Sequence, residues 1–329
     1  MSQKVLVLGG AGYIGSHAAK YLAMKGFTPV VYDNLSRGHL ESVKYGPFEE
    51  GDIDDYDTLL YAMRIHKPVA VMHFAALAYV GESVKEPAKY YWNNVAGTIN
   101  VLDCMRVAEV KNIIFSSSCA TYGNHINTIT ESTSQDPINP YGAGKLMCER
   151  IIKDYGAAYG IRSVMLRYFN AAGADPDCEI GEMHDPETHL IPLAIEAALG
   201  GNGGLVTING QNHPTPDGTC IRDYVHVWDL AQAHALALQY LLDGKNSNVF
   251  NLGGDKGHSV REVVDAIYKK SNGLMQIKYA SRRTGDPASL VSNSEKARSI
   301  LGWVPKFSSL DTIIETAWNW HSKIKISLN

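Results

Sequence analysis

Short apolar runs alternate with helix-period segments through the first half of the chain. Candidate strands lie at Val5–Leu8, Pro29–Tyr32, Phe48–Glu50, Ala70–Phe74, Asn112–Phe115 and Ser163–Phe169. The clearest helical pattern between them is Tyr91–Val107, where Val95, Ile99, Leu102 and Met105 recur at steps of three and four. Strand–helix alternation predicts parallel strands joined by crossover helices, the α/β doubly wound arrangement.

The pattern changes after Asn170. Residues 171–188 are rich in Gly, Pro and Asp and read as loop, and an apolar helix begins near Leu190. Across Asp223–Gly253, a helical stretch (Leu230–Leu242) and a buried strand (Val249–Leu252) predict a return to the main sheet. Ser259 and Glu262 have the spacing of a capping box that opens another helix, and Gly302 follows a helical stretch as its C-cap. No internal repeat or low-complexity segment interrupts the pattern.

Composition narrows the class. A chain of 329 residues suits two lobes sharing an interface, and 45% hydrophobic with 19% charged residues supports a large core. The net charge of -4 and the scatter of basic residues exclude a general nucleic-acid binder, which needs a basic face to meet phosphates. Five widely spaced cysteines form no CxxC pair, and no HExxH occurs, so neither a disulfide framework nor a metal is expected. The first apolar run is too short for a signal-peptide core or a membrane span, and the expected location is the cytoplasm.

The first strand runs directly into Gly9-Gly10-Ala11-Gly12-Tyr13-Ile14-Gly15. Glycines here allow a tight turn and close approach to a pyrophosphate, whose charge meets the N–H groups at the following helix start. Asp33 ends the second strand 18 residues beyond Gly15, close to the roughly 20 expected of a carboxylate that grips the adenosine ribose. It would repel a 2′-phosphate and favours NAD over NADP, although the nearby Arg37 is a residue type able to hold that phosphate. Asp52 reads either as a hydrogen-bond partner for adenine or as a helix N-cap. These signals predict a Rossmann-type NAD-binding domain over residues 1–170, with 223–255 returning to it. A smaller C-terminal α/β substrate lobe is expected over 171–329.

Tyr141 and Lys145 stand four residues apart and share one helix face. For a tyrosine to act as a base near neutrality its pKa must fall from about 10 toward 7, roughly 4 kcal/mol. A fixed lysine charge beside a cationic nicotinamide supplies that kind of stabilisation. Tyr21 and Lys25 have the same spacing but lie in the first crossover helix and read as a solvated face. Position favours the later pair, because the strand before it ends in Ser116-Ser117-Ser118, at the strand edge where α/β sheets bind ligands. Ser118 can relay a proton or hold a sugar hydroxyl, or can simply cap the turn. His73 reads as a packed, hydrogen-bonded core residue.

These elements in this order, GGAGYIGS, YDN, GDI, HFAA, NNV, SSS, YGAGK and RYFN, resemble the extended short-chain dehydrogenase/reductase family across essentially the whole chain. Three stretches look specifically like its UDP-galactose/glucose 4-epimerase branch: Val80–Ser83, Asp217–Val227 and Arg282–Ala288. The resemblance implies an NAD-dependent isomerase that oxidises a UDP-sugar at carbon 4, turns the 4-keto sugar over, and reduces it on the other face. It implies cofactor contacts from Gly9, Gly12, Tyr13, Ile14, Gly15, Asp33, Asn34, Asp52, Ile53, Phe74, Ala75, Ala76, Asn93, Lys145 and Phe169. Ser118, Tyr141 and Lys145 match the catalytic positions. Ser118, Tyr141, Asn170, His189, Leu190, Thr207, Asn209, Arg222, Arg283, Asp286 and Leu290 match positions toward the nucleotide sugar, where paired cations suit a diphosphate. The family commonly dimerises through helices near Tyr91–Val107, so a homodimer is expected.

Departures from the pattern are Ala78 where Lys is frequent, Cys119-Ala120-Thr121 for Ala-Thr-Val, His189 for Asn, and Asn209 for an aromatic residue. A sugar-nucleotide 4,6-dehydratase would need an acid–base pair of carboxylates after the strand-five serine, and Cys119 and Ala120 provide none. A non-enzymatic NAD sensor would have lost the Tyr–Lys–Ser set, which is present.

Overall fold

The computed structural model describes residues 2–125, 128–282 and 287–328. In chain order the first half contains β1 (Lys4–Leu8), α1 (Tyr13–Met24), β2 (Thr28–Asp33), β3 (Phe48–Glu50), α2 (Tyr56–His66), β4 (Ala70–His73), α3 (Val80–Lys85), α4 (Pro87–Tyr90), α5 (Gly97–Val107), β5 (Asn112–Ser118), α6 (Pro140–Tyr159) and β6 (Arg162–Tyr168). The second half contains β7 (Asn170–Ala172), α7 (Leu190–Ala198), β8 (Leu205–Asn209), β9 (Ile221–His226), α8 (Val227–Leu242), β10 (Asn248–Leu252), β11 (Gly257–Ser259), α9 (Val260–Lys270), β12 (Gln276–Ala280), β13 (Ser289–Leu290), α10 (Glu295–Leu301) and α11 (Leu310–Leu328).

Seven strands form one sheet in the order β3-β2-β1-β4-β5-β6-β10, and every neighbouring pair is parallel. Strand alternation explains why it is covered on both sides. Leu6 and Leu8 of β1, with Ile113 and Phe115 of β5, face a layer built from α2, α5 and α6. Val5 and Val7, with Ile114, face the opposite layer, built on Leu22, α8 and Trp303. A strand apolar at every position can only sit between two helical layers. The winding direction reverses between β1 and β4, which leaves a crevice at the carboxyl ends of those strands.

β10 pairs with β6 through Asn248–Leu252, which brings the chain back to the main sheet. The return reaches further than residue 255, because Ala297, Leu301 and Trp303 bury themselves in the same core. The remaining C-terminal elements form a smaller α/β layer. β9 is its hub, pairing with β7, β11 and β13, while β8 and β12 make a separate parallel pair. Helices α7, α9 and α11 close its core. Ser259 caps α9 in the anticipated capping box, and Gly302 takes φ 66° after α10.

Two elements differ from the sequence expectation. β5 runs on to Ser118 although its last three residues are polar, because each serine stays in register with β6 at Leu166–Tyr168 and each hydroxyl finds a hydrogen-bond partner. Tyr91–Val107 is not one uniform α-helix: Tyr91–Ala96 form a π-turn before α5, a common device beside functional sites. Among the described residues, no helix is long and apolar enough to cross a membrane.

One polar network runs through the sheet. Arg167 of β6 donates to both carboxylate oxygens of Glu149 on α6, at 2.8 Å and 2.5 Å, with side chains 3% and 1% exposed. Ser117 of β5 donates to the same carboxylate at 2.6 Å, and Arg167 also donates to the Tyr122 hydroxyl at 2.8 Å. Removing one partner strands a buried charge. Arg167→Met is therefore expected to cost about 3–5 kcal/mol in urea unfolding, and Arg167→Met/Glu149→Leu to recover a substantial part of it. A single variant as stable as the parent would show that the pair does not hold α6 to the sheet.

Candidate active site

The crevice between β1 and β4 opens into one long cleft of ≈ 510 Å³ that runs from Asp33 and Asp52 past Tyr141 to Arg222 and Leu290. Its floor at one end is the glycine turn. Gly9 has φ 75°, and a Cβ there would stand 2.5 Å from the backbone nitrogen of Ala75. A Cβ on Gly15 would stand 2.2 Å from the Gly9 carbonyl, so the turn packs too tightly for any side chain. Gly12 is the N-cap of α1 and provides no side-chain cap, which leaves the first N–H groups of that helix to a ligand. A pyrophosphate fits this cradle.

The acidic end is prepared for a ribose. Asp33 is 7% exposed and accepts from Ala11 N and Leu35 N, each at 2.9 Å, which fixes its orientation. Burial raises its pKa, opposed by those two backbone donors. Arg37 is committed elsewhere, donating to the Asp185 carbonyl at 2.7 Å and lying 4.9 Å from the centre of the Tyr79 ring. That engagement leaves the Asp33 carboxylate facing the cleft without Arg37 paired to it. Asp52 accepts from Asn34 Nδ2 at 2.5 Å, and the cap of α2 is Asp55 and not Asp52. Ile53, Phe74, Ala75, Ala76, Asn93 and Phe169 line the same cleft. Tyr13 lines it as well, its hydroxyl donating to the Gly173 carbonyl at 2.6 Å, and Ile14 lies beside it.

Ser118, Tyr141 and Lys145 meet in the middle of the cleft. Helix α6 starts at Asn139, whose side chain caps Gly142 N at 2.8 Å, so Tyr141 is in the first turn and Lys145 one turn further on. Lys145 Nζ donates to the Ser116 carbonyl at 2.6 Å and lies 5.9 Å from the Tyr141 ring centre. Burial lowers the lysine pKa to about 8. Burial raises that of the Tyr141 phenol, with Tyr168 adding to the rise, while the Ser118 hydrogen bond lowers it. Deprotonating Tyr141 needs further positive charge, which the oxidised nicotinamide carries. Ser118 Oγ also accepts from Ala120 N at 3.1 Å, which fixes its rotamer.

Toward the other end, Asn170, His189, Leu190, Arg222 and Leu290 all line the cleft. Arg222 Nη1 donates to the Pro287 carbonyl at 2.8 Å, and Leu290 stands beside Arg222 in strand register with β9. His189 is the N-cap residue of α7. Burial works against its charged form, but Glu182 and Glu187 hold it, and its pKa rises to about 10. Thr207 and Asn209 are not brought together with the others: they sit on β8, which pairs only with β12, and neither lines the cleft among the described residues. Arg283 and Asp286 lie outside the described residues.

Residues 5–253 match the model of the NAD dependent epimerase/dehydratase family. The chain belongs to that family. It is similar to a UDP-glucose 4-epimerase of Rhizobium meliloti, 54% identical over 98% of each chain. Among solved structures it matches UDP-glucose 4-epimerase from Brucella ovis in complex with NAD, at 52% identity and TM-score 0.93, covering 96% of this chain and 98% of that one. It also matches the UDP-Glc/GlcNAc 4-epimerase of Campylobacter jejuni, at 38% identity and TM-score 0.85, covering 98% and 100%.

Within this NAD-dependent family site, several cleft residues escaped the sequence reading. Ser116 faces the cleft together with Ser118, as alternate residues of a strand must, and its hydroxyl contacts that of Tyr168. Applying period two to the Ser116-Ser117-Ser118 run would have found it. Tyr79, Glu182 and His184 also line the cleft, and no strand or helix signal marks them. His73, which the sequence placed in the core, is buried with Nε2 3.1 Å from Thr98 Oγ1, and burial lowers its pKa to about 3.

Tyr141→Phe keeps the ring but removes the proton acceptor, and is expected to retain less than a tenth of the parent turnover while still binding NAD. Lys145→Met is expected to weaken both rate and NAD affinity. Initial rates together with NAD content of the purified variants check both, and a Tyr141→Phe protein above a tenth of the parent rate would remove the phenol from the chemistry.

Proposed function

We propose that the protein interconverts UDP-glucose and UDP-galactose by reversible oxidation at sugar carbon 4. The observation that carries this is the Ser118–Tyr141–Lys145 set beside a dinucleotide cradle, with no acid–base carboxylate pair following Ser118 among the described residues. Cys119 and Ala120 follow Ser118, and burial pushes the Cys119 thiol up to about 12, so neither exchanges a proton near neutrality. That supports epimerisation over dehydration. The relatives named UDP-glucose 4-epimerase, nearly full length in alignment, favour the same substrate pair.

NAD supplies the redox capacity when bound, held by the glycine turn, Asp33, Asn34 and Lys145. Tyr141 takes the proton of the sugar 4-hydroxyl and later returns one. Ser118 hydrogen-bonds the phenol and the same sugar oxygen, and keeps the proton path short. Lys145 holds its place through Ser116 and serves the phenol and the nicotinamide ribose. Asn170, His189, Leu190, Arg222 and Leu290 grip the nucleotide sugar, with Arg283 and Asp286 assigned there from their motif. The reaction needs the keto sugar to present either face to one fixed dinucleotide, so the diphosphate is the anchor and the hexose is held loosely.

Residues 1–170, with the returning segments 223–255 and 297–303, carry the dinucleotide, and the remaining C-terminal residues carry the sugar nucleotide. A homodimer is supported by an exposed apolar patch over α4, the π-turn, α5 and α6, where Trp92 is 75% exposed beside Ile99 and Met147. Widely spaced cysteines without a CxxC pair and a mixed charge composition suit the cytoplasm.

Pocket size decides which hexoses enter. Leu290 packs beside Phe169 and Cys119 at the cleft wall. It is smaller than tyrosine and can change rotamer, which leaves some room for a 2-acetamido group. A difference of that scale is worth about 1–3 kcal/mol, a preference and not an exclusion. The expected profile over a panel of UDP-hexoses is full activity on the glucose/galactose pair and weaker, measurable activity on the N-acetyl pair. Leu290→Tyr is expected to reduce the N-acetyl activity far more than the glucose activity. Equal loss of both would show that Leu290 does not gate the pocket, and absence of any turnover on UDP-galactose would overturn the proposed reaction.

A further inference from the structure

Residues 182–189 read Glu-Met-His-Asp-Pro-Glu-Thr-His, an E-x-H-x-x-E-x-H run with the same spacing in both directions. It forms a strap between β7 and α7. The side chains at its four marked positions converge. Nδ1 of His184 and Nδ1 of His189 each lie 2.8 Å from Oε1 of Glu182. Nδ1 of His189 lies 2.9 Å from Oε1 of Glu187, and Nδ1 of His184 lies 3.9 Å from Oε2 of Glu187. One donor atom from each residue falls within 4.8 Å of the others.

We propose that Glu182, His184, Glu187 and His189 form a binding site for a borderline divalent ion of the zinc class. A tetrahedral ion with bonds of about 2.0–2.2 Å needs donors roughly 3.3–3.6 Å apart, and the separations here bracket that spacing. Two imidazoles and two carboxylates suit Zn²⁺ or Co²⁺ far better than Mg²⁺, which prefers oxygen donors and keeps its water. Charge points the same way. Two carboxylates this close, one of them on the buried Glu182, are balanced by a single dication with both imidazoles neutral.

The strap is also held before any ion arrives. Trp320 Nε1 donates to the Glu182 carbonyl at 3.0 Å, His39 Nε2 lies 2.6 Å from the Met183 carbonyl, and Arg37 donates to the Asp185 carbonyl at 2.7 Å. Glu187 Oε1 accepts from Thr188 N and His189 N at 2.6 and 2.7 Å, so that carboxylate is oriented by its own backbone. His184 is wedged edge-on against Tyr13 and Tyr79, with ring centres 6.1 and 6.0 Å away. The contacts from His39 and Arg37 come from the dinucleotide side of the cleft, and that from Trp320 comes from α11. A metal here fastens the strap across the cleft between those two supports, and its charge takes over from the imidazolium of His189. The run of alternating acid and histidine in the sequence is the signal for it, although it matches no zinc-knuckle or HExxH spacing.

The test uses the full chain, stripped of metal with a chelator and titrated with Zn²⁺, Co²⁺ and Mg²⁺ in separate arms. Calorimetry is expected to give one Zn²⁺ per chain and no saturable Mg²⁺ binding at the same concentrations. Co²⁺ is expected to produce the intense visible absorption of a tetrahedral nitrogen–oxygen site. His184→Asn/His189→Asn is expected to lower Zn²⁺ affinity by roughly tenfold or more, with circular dichroism confirming that the variant is folded. Stoichiometric zinc retained by that variant would place the ion elsewhere and overturn the proposal. So would a parent protein that takes up no zinc or gives only the weak spectrum of hydrated Co²⁺, a result that does not depend on any variant folding.

Discussion

Glu149 and Arg167, buried together behind the reactive helix, determine where the chemistry can happen. Arg167 is on β6, Glu149 is on α6, and Ser117 of β5 donates to the same carboxylate. Three elements are therefore registered against one another by groups that have no solvent to fall back on. Because Ser117 points to Glu149, its neighbours Ser116 and Ser118 must point the other way, into the cleft. Because Glu149 is held, Lys145, one turn earlier on α6, reaches the Ser116 carbonyl and Tyr141 reaches Ser118. The network continues through Tyr122 to Asn251, so β10, reached only after the chain has crossed to the smaller layer and back, is tied to the same reference point.

The electrostatics of the cleft follow from that burial. Desolvation pushes the two central groups toward neutrality, raising the Tyr141 phenol and lowering the Lys145 ammonium to about 8. A dry site makes the phenol a poor base by itself but strengthens the effect of any charge that enters it. In the proposed reaction the protein contributes position, a hydrogen bond between Ser118 and the phenol and a low-dielectric setting, and a bound dinucleotide would supply the remaining positive charge. This division also favours a cofactor that stays in place through the cycle.

Much of the fold could be read from the chain because strands buried on both faces are apolar at every position, as Val5–Leu8 and Ala70–Met72 are. The end of β5 could not, since three serines look like a turn until their partners on β6 and α6 are known. The Tyr–Lys spacing alone was ambiguous: Tyr21 and Lys25 share it, yet Lys25 lies over the Tyr21 ring at 5.3 Å and Tyr21 packs on Trp228, a helix-packing contact of α1 on α8. Motif likeness carried Asn170, Arg222 and Leu290 to the cleft, where neighbouring strands fix them. It failed to bring Thr207 and Asn209 there, because a position on a separate two-stranded ribbon depends on how that ribbon is set, which residue spacing does not encode. Tyr79 and His184 were invisible for a related reason: they stand on irregular segments whose course is set by contacts such as Arg37 to Asp185.

In the proposed reaction one tightly held dinucleotide oxidises and then reduces the same sugar carbon, with Tyr141 moving the hydroxyl proton. Turnover of UDP-galactose carrying deuterium at carbon 4, with no NAD added to the purified protein, tests this most directly. The expected product is UDP-glucose that keeps the deuterium at carbon 4, with no net accumulation of NADH. Product that has lost the label to solvent, or turnover that stops after one equivalent with NADH left behind, would contradict it.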